Sequence, residues 1–299
     1  MVGNQVIILF VLIAVGFVCN KTKILNGKSV KGITEFVLYI VSPCVIINSY
    51  QRDFDHSMLK GLIITLAASV ISYIVDIIVV HLIVRNKDKR REKVLRFGAV
   101  FSNCGYMSLP LQNALLGADG VFYGATYIAV FNIMLWTYGV ILMDGGTKNL
   151  SPRKIILNPG IIGTALGFIV FLFSIKLPSV LSEPIGYLAA LNTPLPMVII
   201  GFHLADASLK ISGKSTIISM VFRLIISPLL MLVGLYLCGI RGTILVACVI
   251  AASAPYAAAT TMFSEKFGAD TSLSAACVSI TTLISVITMP LIVGISAML

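Results

Sequence analysis

The chain predicts an all-α membrane protein of ten spanning helices, arranged as two inverted five-helix halves. Three observations carry this. Hydrophobic residues make up 58% of the 299-residue chain and charged residues 11%, at a mean hydropathy of +1.01, so lipid is the only place for so much apolar surface. The basic residues alternate strictly between loops. Residues 102–119 also align without a gap on residues 253–270, at an offset of 151, each stretch opening on Ser and closing on Gly-Ala-Asp.

Apolar runs fall near 5–19, 33–50, 58–84, 94–116, 120–143, 155–175, 183–204, 215–238, 243–264 and 272–298, each close to the length that crosses a bilayer. The first run, Val6–Val18, precedes the first charge, Lys21. A signal peptide carries its positive charge ahead of its apolar run, so this segment reads as a helix. Four lysines (Lys21, Lys23, Lys28, Lys31) follow run 1. Arg85, Lys87, Lys89, Arg90, Arg91, Lys93 and Arg96 follow run 3. Lys148, Arg153 and Lys154 follow run 5, Lys210 and Lys214 run 7, and Lys266 run 9. These 17 basic residues share one side, against Arg52, Lys60, Lys176 and Arg241 on the other. A missed helix would scramble that split, so it supports ten spans in a cell membrane with both termini extracytoplasmic. The basic run at 85–96 reads as a topology signal against anionic lipid; without interleaved aromatics it is a poor nucleic-acid binder.

The offset of 151 recurs. Ala14, Gly16 and Phe17 match Ala165, Gly167 and Phe168, and Pro43 matches Pro194. Residues 1–150 form one copy and 151–299 the other, and an odd number of spans per copy inserts the second upside down.

The oddest residues sit where a membrane helix is normally cleanest. Run 4 holds Asn103, Gly105, Ser108, Pro110, Gln112 and Asn113; run 9 holds Ser253, Pro255, Tyr256, Thr260 and Thr261. An unwound turn in lipid leaves backbone groups unpaired and is tolerated only where it lines a cavity in the protein. Pro255 and the weak Asn103-Cys104-Gly105 stretch therefore predict two broken helices meeting near the midplane. A simple kink explains one such break; two at matching places point to a binding site. Asn103, Gly105, Pro255 and Tyr256 are its candidates. Asn48, Asn132 and Asn192 could face a ligand or fasten neighbouring helices. Asp76 and Arg223, in runs 3 and 8, are charges at membrane depth: a structural ion pair, or part of a proton or substrate relay. The six cysteines form no CxxC pair and read as buried small side chains. No phosphate-binding loop, HExxH or supported Ser-His-Asp arrangement is present, so neither an enzyme nor a cofactor or metal site is expected.

These residues resemble the auxin efflux carrier family, above all its bacterial branch of malate- and malonate-permease-like proteins. Phe101-Ser102-Asn103-Cys104-Gly105-Tyr106-Met107-Ser108-Leu109-Pro110-Leu111 is similar to that family's fourth-helix signature. Asn158-Pro159-Gly160-Ile161-Ile162-Gly163 is similar to its sixth-helix opening, and Ala254-Pro255 with Phe267-Gly268-Ala269-Asp270 to its ninth helix. The resemblance implies a fold like that of sodium/proton antiporters and bile-acid symporters. Helices 1, 2, 6 and 7 would form a scaffold; helices 3–5 and 8–10 would form the transport part, with helices 4 and 9 crossing. It further implies elevator-like alternating access, a homodimer, and a small organic anion held near Asn103. The plant carriers have proline at both crossovers and a long central loop; this chain has a crossover proline only in run 9, Pro255, and a short loop. The expectation is therefore a secondary transporter of small organic anions. A sodium-coupled symporter or cation/proton antiporter of the same fold is the alternative, and a non-transporting membrane sensor a distant one.

Overall fold

The computed structural model describes residues 2–147, 150, 152–206 and 213–299. Lys148 and Lys210, and the side chain of Lys154, lie outside the described residues. Every regular element among the described residues is a helix. Besides a five-residue helix at Pro152–Ile156, these are in chain order α1 (Val2–Lys21), α2 (Gly27–Tyr50), α3 (His56–Ile83), α4 (Lys89–Val100), α5 (Cys104–Asp144), α6 (Pro159–Leu172), α7 (Ser179–Ala205), α8 (Lys214–Leu237), α9 (Gly242–Ser253), α10 (Ala259–Lys266) and α11 (Thr271–Met298). Six of them (α2, α3, α5, α7, α8 and α11) are long and apolar enough to cross a membrane. Ile7–Lys21, α6 and α9 are shorter apolar helices.

Polar side chains start the helices. Asp55, Asp88, Asn158 and Asp270 each accept a hydrogen bond from a backbone N–H in the first turn, of Ser57, Arg90, Gly160 and Leu273 respectively, which satisfies donors the helix itself cannot. Four π-helical turns interrupt the long helices, at Val37–Val41, Cys104–Ser108, Leu135–Gly139 and Phe222–Ile226. Three are followed within two residues by a proline: Pro43, Pro110 and Pro228. Proline removes an N–H and crowds the carbonyl four residues back, and the widened turn relieves that conflict.

Runs 4 and 5 are separate helices, as the sequence reading expected, but they meet at a tight kink inside α5 with no long loop: the chain folds back so that a Cβ on Gly124 would lie 2.0 Å from Gln112 Oε1. The kink falls at Gly117, which leaves helical geometry at φ +63°. Its counterpart at the offset of 151, Gly268, adopts φ +64°. Both Gly-Ala-Asp closures thus need the left-handed backbone that glycine tolerates. Arg52 then pairs with Asp119 at 2.6 Å and ties this bend to the end of α2.

The interior is apolar and continuous, centred on α4, α5 and α9, with Phe97, Val100, Phe101, Phe122, Val249 and Ala252 completely buried. The periphery carries exposed isoleucine, leucine and valine on α1, α3, α8 and α11, the surface expected of helices facing lipid. Cys104, Cys248 and Cys277 are buried, but Cys238 is exposed and Cys19 and Cys44 only partly covered. The expectation of buried cysteines therefore fails for Cys238, which lies just past the end of α8.

α1 and the second half of α7 cross almost backbone to backbone. A Cβ on Gly201 would sit 1.9 Å from the Ile13 carbonyl oxygen, and one on Gly16 would sit 2.1 Å from that of Val198. Gly201→Val is therefore expected to destabilise the protein by about 1–3 kcal/mol, because neither backbone can yield. Gly186→Ala, which meets only open space, is the neutral control. Melting curves of the two detergent-purified variants check this; equal curves would remove the close crossing.

Candidate functional site

Two helices break at the centre of the fold, and each break completes the other. α4 ends at Val100 and α5 begins at Cys104. α9 ends at Ser253 and α10 begins at Ala259. The residue before a proline is pushed out of the α region, and Ala254 accordingly turns to ψ 147°. No proline enforces the first break. Its backbone is held by the second: Ser102 and Tyr256 pair in antiparallel fashion, Asn103 N–H donates to the Pro255 carbonyl at 2.8 Å, and Ala257 N–H donates to that of Phe101 at 2.9 Å. The two strands are buried, so backbone groups that would be orphaned singly are satisfied as a pair.

Arg223 stands behind the crossing, in the π-helical turn of α8, fully buried. Its Nη1 donates to the carbonyls of Ala99 (3.2 Å) and Val100 (3.0 Å), at the end of α4. Its Nη2 donates to the carbonyl of Ala252, at the end of α9, and to Ser227 Oγ at 2.6 Å. One guanidinium thus closes the C-terminal ends of both half-helices, where partial negative charge gathers. Asp76, 2% exposed, lies 3.7 Å from Arg223 Nη1, and accepts a 2.7 Å hydrogen bond from Ser227. Asp76 and Ser227 are separated by 151 residues, the repeat offset.

The other face of the crossing is where α5 and α10 start. Neither first turn carries an acidic residue. Asn103 is 6% exposed. A Cβ on Gly105 would meet nothing within 4 Å, so this turn opens onto free space. Below it, Ser108 Oγ donates to Ile250 O (3.2 Å) and Gln112 Nε2 to Ala247 O (2.8 Å), which binds the first half of α5 to α9.

The remaining candidates divide. Pro255 contributes its carbonyl to the crossing. Tyr256 is not free to meet a ligand: its hydroxyl is hydrogen-bonded to Ser219, its N–H donates to Thr281 Oγ1, and its ring is fully buried over Gly98. Asn48 is exposed, because its helical phase turns it away from the core. Asn132 donates to Ile128 O in its own helix at 3.0 Å and packs against Gly160 at the start of α6, a fastening contact away from the crossing. Asn192 is 2% exposed in the turn that divides α7, and neither polar atom of its side chain has a partner among the described residues. Ser219, Ser227 and Thr281, which hold the crossing from α8 and α11, were missed. Ser227-Pro228 could have been found as the position matching Asp76; the other two look like ordinary small polar residues in apolar helices.

An all-helical chain with several membrane-length apolar helices, folded around two mutually paired helix breaks, belongs to the class of multi-pass membrane transporters. The chain is a member of the family described as membrane transport protein, whose model matches residues 1–293. Its resemblance to the auxin efflux carriers holds in the relatives. An uncharacterized transporter of Methanothermobacter thermautotrophicus is 24% identical over 292 residues, covering 96% of each chain. A candidate malonate transporter of Rhizobium meliloti is 24% identical over 290 residues, covering 93% of this chain and 91% of its own. Auxin efflux carrier component 3a of rice, Oryza sativa subsp. japonica, is 26% identical over 121 residues, 38% of this chain and 20% of its own. These names describe transporters, not enzymes.

Proposed function

We propose that the protein is a secondary active transporter of small organic anions, carboxylates foremost, bound at the crossing of the two broken helices. The observation that carries this is the pairing of Phe101–Asn103 with Pro255–Ala257 in the buried centre. Arg223 and Asp76 are engaged with the C-terminal ends of α4 and α9. The N-terminal ends of α5 and α10 remain, with partial positive charge and no acid in their first turns, and such ends suit an anion. Asn103 and Gly105 border the open space beside them.

The reading extends to architecture. The chain comprises ten spans in two inverted halves, 1–150 and 151–299. The matched left-handed glycines and the Asp76–Ser227 contact, both at the repeat offset, support it. The transport part, spans 3–5 and 8–10 with the crossing between them, moves against a scaffold of the first, second, sixth and seventh spans in an elevator-like exchange, in a homodimer of the cell membrane with both termini outside. The relative named for malonate makes short dicarboxylates the first substrates to try.

Uptake of radiolabelled malonate, malate and indole-3-acetate into proteoliposomes tests the proposal, under imposed pH and sodium gradients in turn. For an accepted substrate, Asn103→Ala is expected to raise KM about tenfold or more, the effect of losing a hydrogen bond to a charged group. Wild-type KM in this variant would sink the assignment of the site. Strict dependence on sodium would move the protein to the sodium-coupled alternative.

A further inference from the structure

Away from the crossing, the connection between α3 and α4 folds into an open hollow of about 530 Å³ lined by His81, Arg85, Lys87, Lys89, Glu92 and Arg96. Its floor is built. Arg96 donates to the Val84 carbonyl at 3.0 Å and pairs with Glu92 at 2.9 Å; Lys89 reaches the same carboxylate at 3.1 Å, as does the Asn86 N–H at 3.0 Å. Burial pushes Glu92 up, but the Asn86 N–H, Lys89 and Arg96 outweigh it and hold the carboxyl below its ordinary value. Glu92 therefore stays charged, and its charge is spent on Lys89 and Arg96. Arg85 and Lys87, both exposed, have no carboxylate partner among the described residues.

The rim has the opposite character. The last turns of α3, leading straight into Arg85, expose Ile78, Leu82 and Ile83. A basic hollow that borders lipid-facing apolar side chains matches an amphiphile in both parts; a free anion would use only the cations. We propose that this hollow binds the headgroup of an anionic phospholipid, its phosphate between Arg85 and Lys87 and its chains along the Leu82 side of α3. Basic pockets at the ends of membrane helices hold such headgroups by charge. The assignment is independent of which anion the crossing transports.

Native mass spectrometry of the detergent-purified protein, titrated with phosphatidylglycerol or phosphatidylcholine, tests it. Wild type is expected to retain phosphatidylglycerol in preference to phosphatidylcholine. Arg85→Ala with Lys87→Ala should weaken that retention about thirtyfold, at roughly 1 kcal/mol per basic residue. Both side chains are exposed, so the fold is not at stake, and Arg96 is left in place. Lys28→Ala with Lys31→Ala, in the other basic segment, should keep wild-type retention. Undiminished retention in the Arg85/Lys87 variant would overturn the proposal. So would displacement of the lipid by inorganic phosphate at equal concentration, which would make the hollow a free-anion site.

Discussion

Replacing Arg223 with methionine is expected to lower the unfolding free energy by about 3–5 kcal/mol, the cost of breaking a buried ion pair from one side. Methionine is a long, flexible side chain that fills much of the space, so most of the loss is electrostatic. Asp76 keeps only its hydrogen bond from Ser227, and becomes a carboxylate buried without a countercharge. The carbonyls of Ala99, Val100 and Ala252 lose their side-chain donor together, and they close two helices at once. Arg223→Lys is expected to fall between methionine and wild type. An ammonium keeps the charge, but it lacks the planar fork that reaches α4, α9 and Ser227 simultaneously. Asp76→Asn should cost less than Arg223→Met, because an amide still accepts from Ser227 and leaves no net acid behind. The double variant Asp76→Asn/Arg223→Met should be less damaging than the sum of the singles, since the orphaned charge no longer exists. Thermal unfolding in detergent reads all four. A methionine variant that melts with the wild type would show that Arg223 does not hold the crossing together.

That prediction rests on contacts the sequence hides. The depth of Arg223 and Asp76 is legible from their place in apolar runs. Their partners are not, because the carbonyls that Arg223 binds lie 29 and more than 120 residues away and belong to residues with no polar side chain. The two breaks divide in the same manner. Pro255 announces the second through its own chemistry. The first was placed on Asn103-Cys104-Gly105, but the chain leaves the helix at Phe101–Asn103 and resumes it, widened, at Cys104. Its position is set by pairing with the strand around Tyr256, and no local propensity encodes a partner over 150 residues distant. Gly117 is a local signal that does suffice. Gly-Ala-Asp reads as a break, and the glycine takes the positive-φ backbone at which one helix ends and the next folds back against it. For Asn48, a hydrophobicity pattern locates the span, but near its end helical phase decides which way a side chain points. The internal repeat at an offset of 151 supplied what periodicity could not, a reason to look at these two breaks together.

Gly98→Ala, the addition of a single methyl, is expected to reduce both stability and transport sharply. The new Cβ would lie 2.0 Å from Cε2 and 2.1 Å from Cδ2 of Tyr256, well inside any van der Waals distance. The ring cannot swing away cheaply. It is fully buried, its hydroxyl is hydrogen-bonded to Ser219, and its own backbone forms the antiparallel pair with Ser102. Moving the ring therefore moves the strand that completes the first break, and Asn103 N–H and the Phe101 carbonyl move with it. Overpacking of this kind costs about 1–3 kcal/mol. Tyr256→Phe keeps the ring and removes one hydrogen bond, so it should cost only about 0.5–1.5 kcal/mol and leave the crossing in register. The discriminating variant is Gly98→Ala/Tyr256→Leu, in which a smaller side chain makes room for the methyl. Its melting temperature should exceed the value expected by adding the two single effects, the signature of residues that share one space. Strict additivity would mean that Gly98 and Tyr256 do not compete for it, and that the geometry of the crossing is set elsewhere.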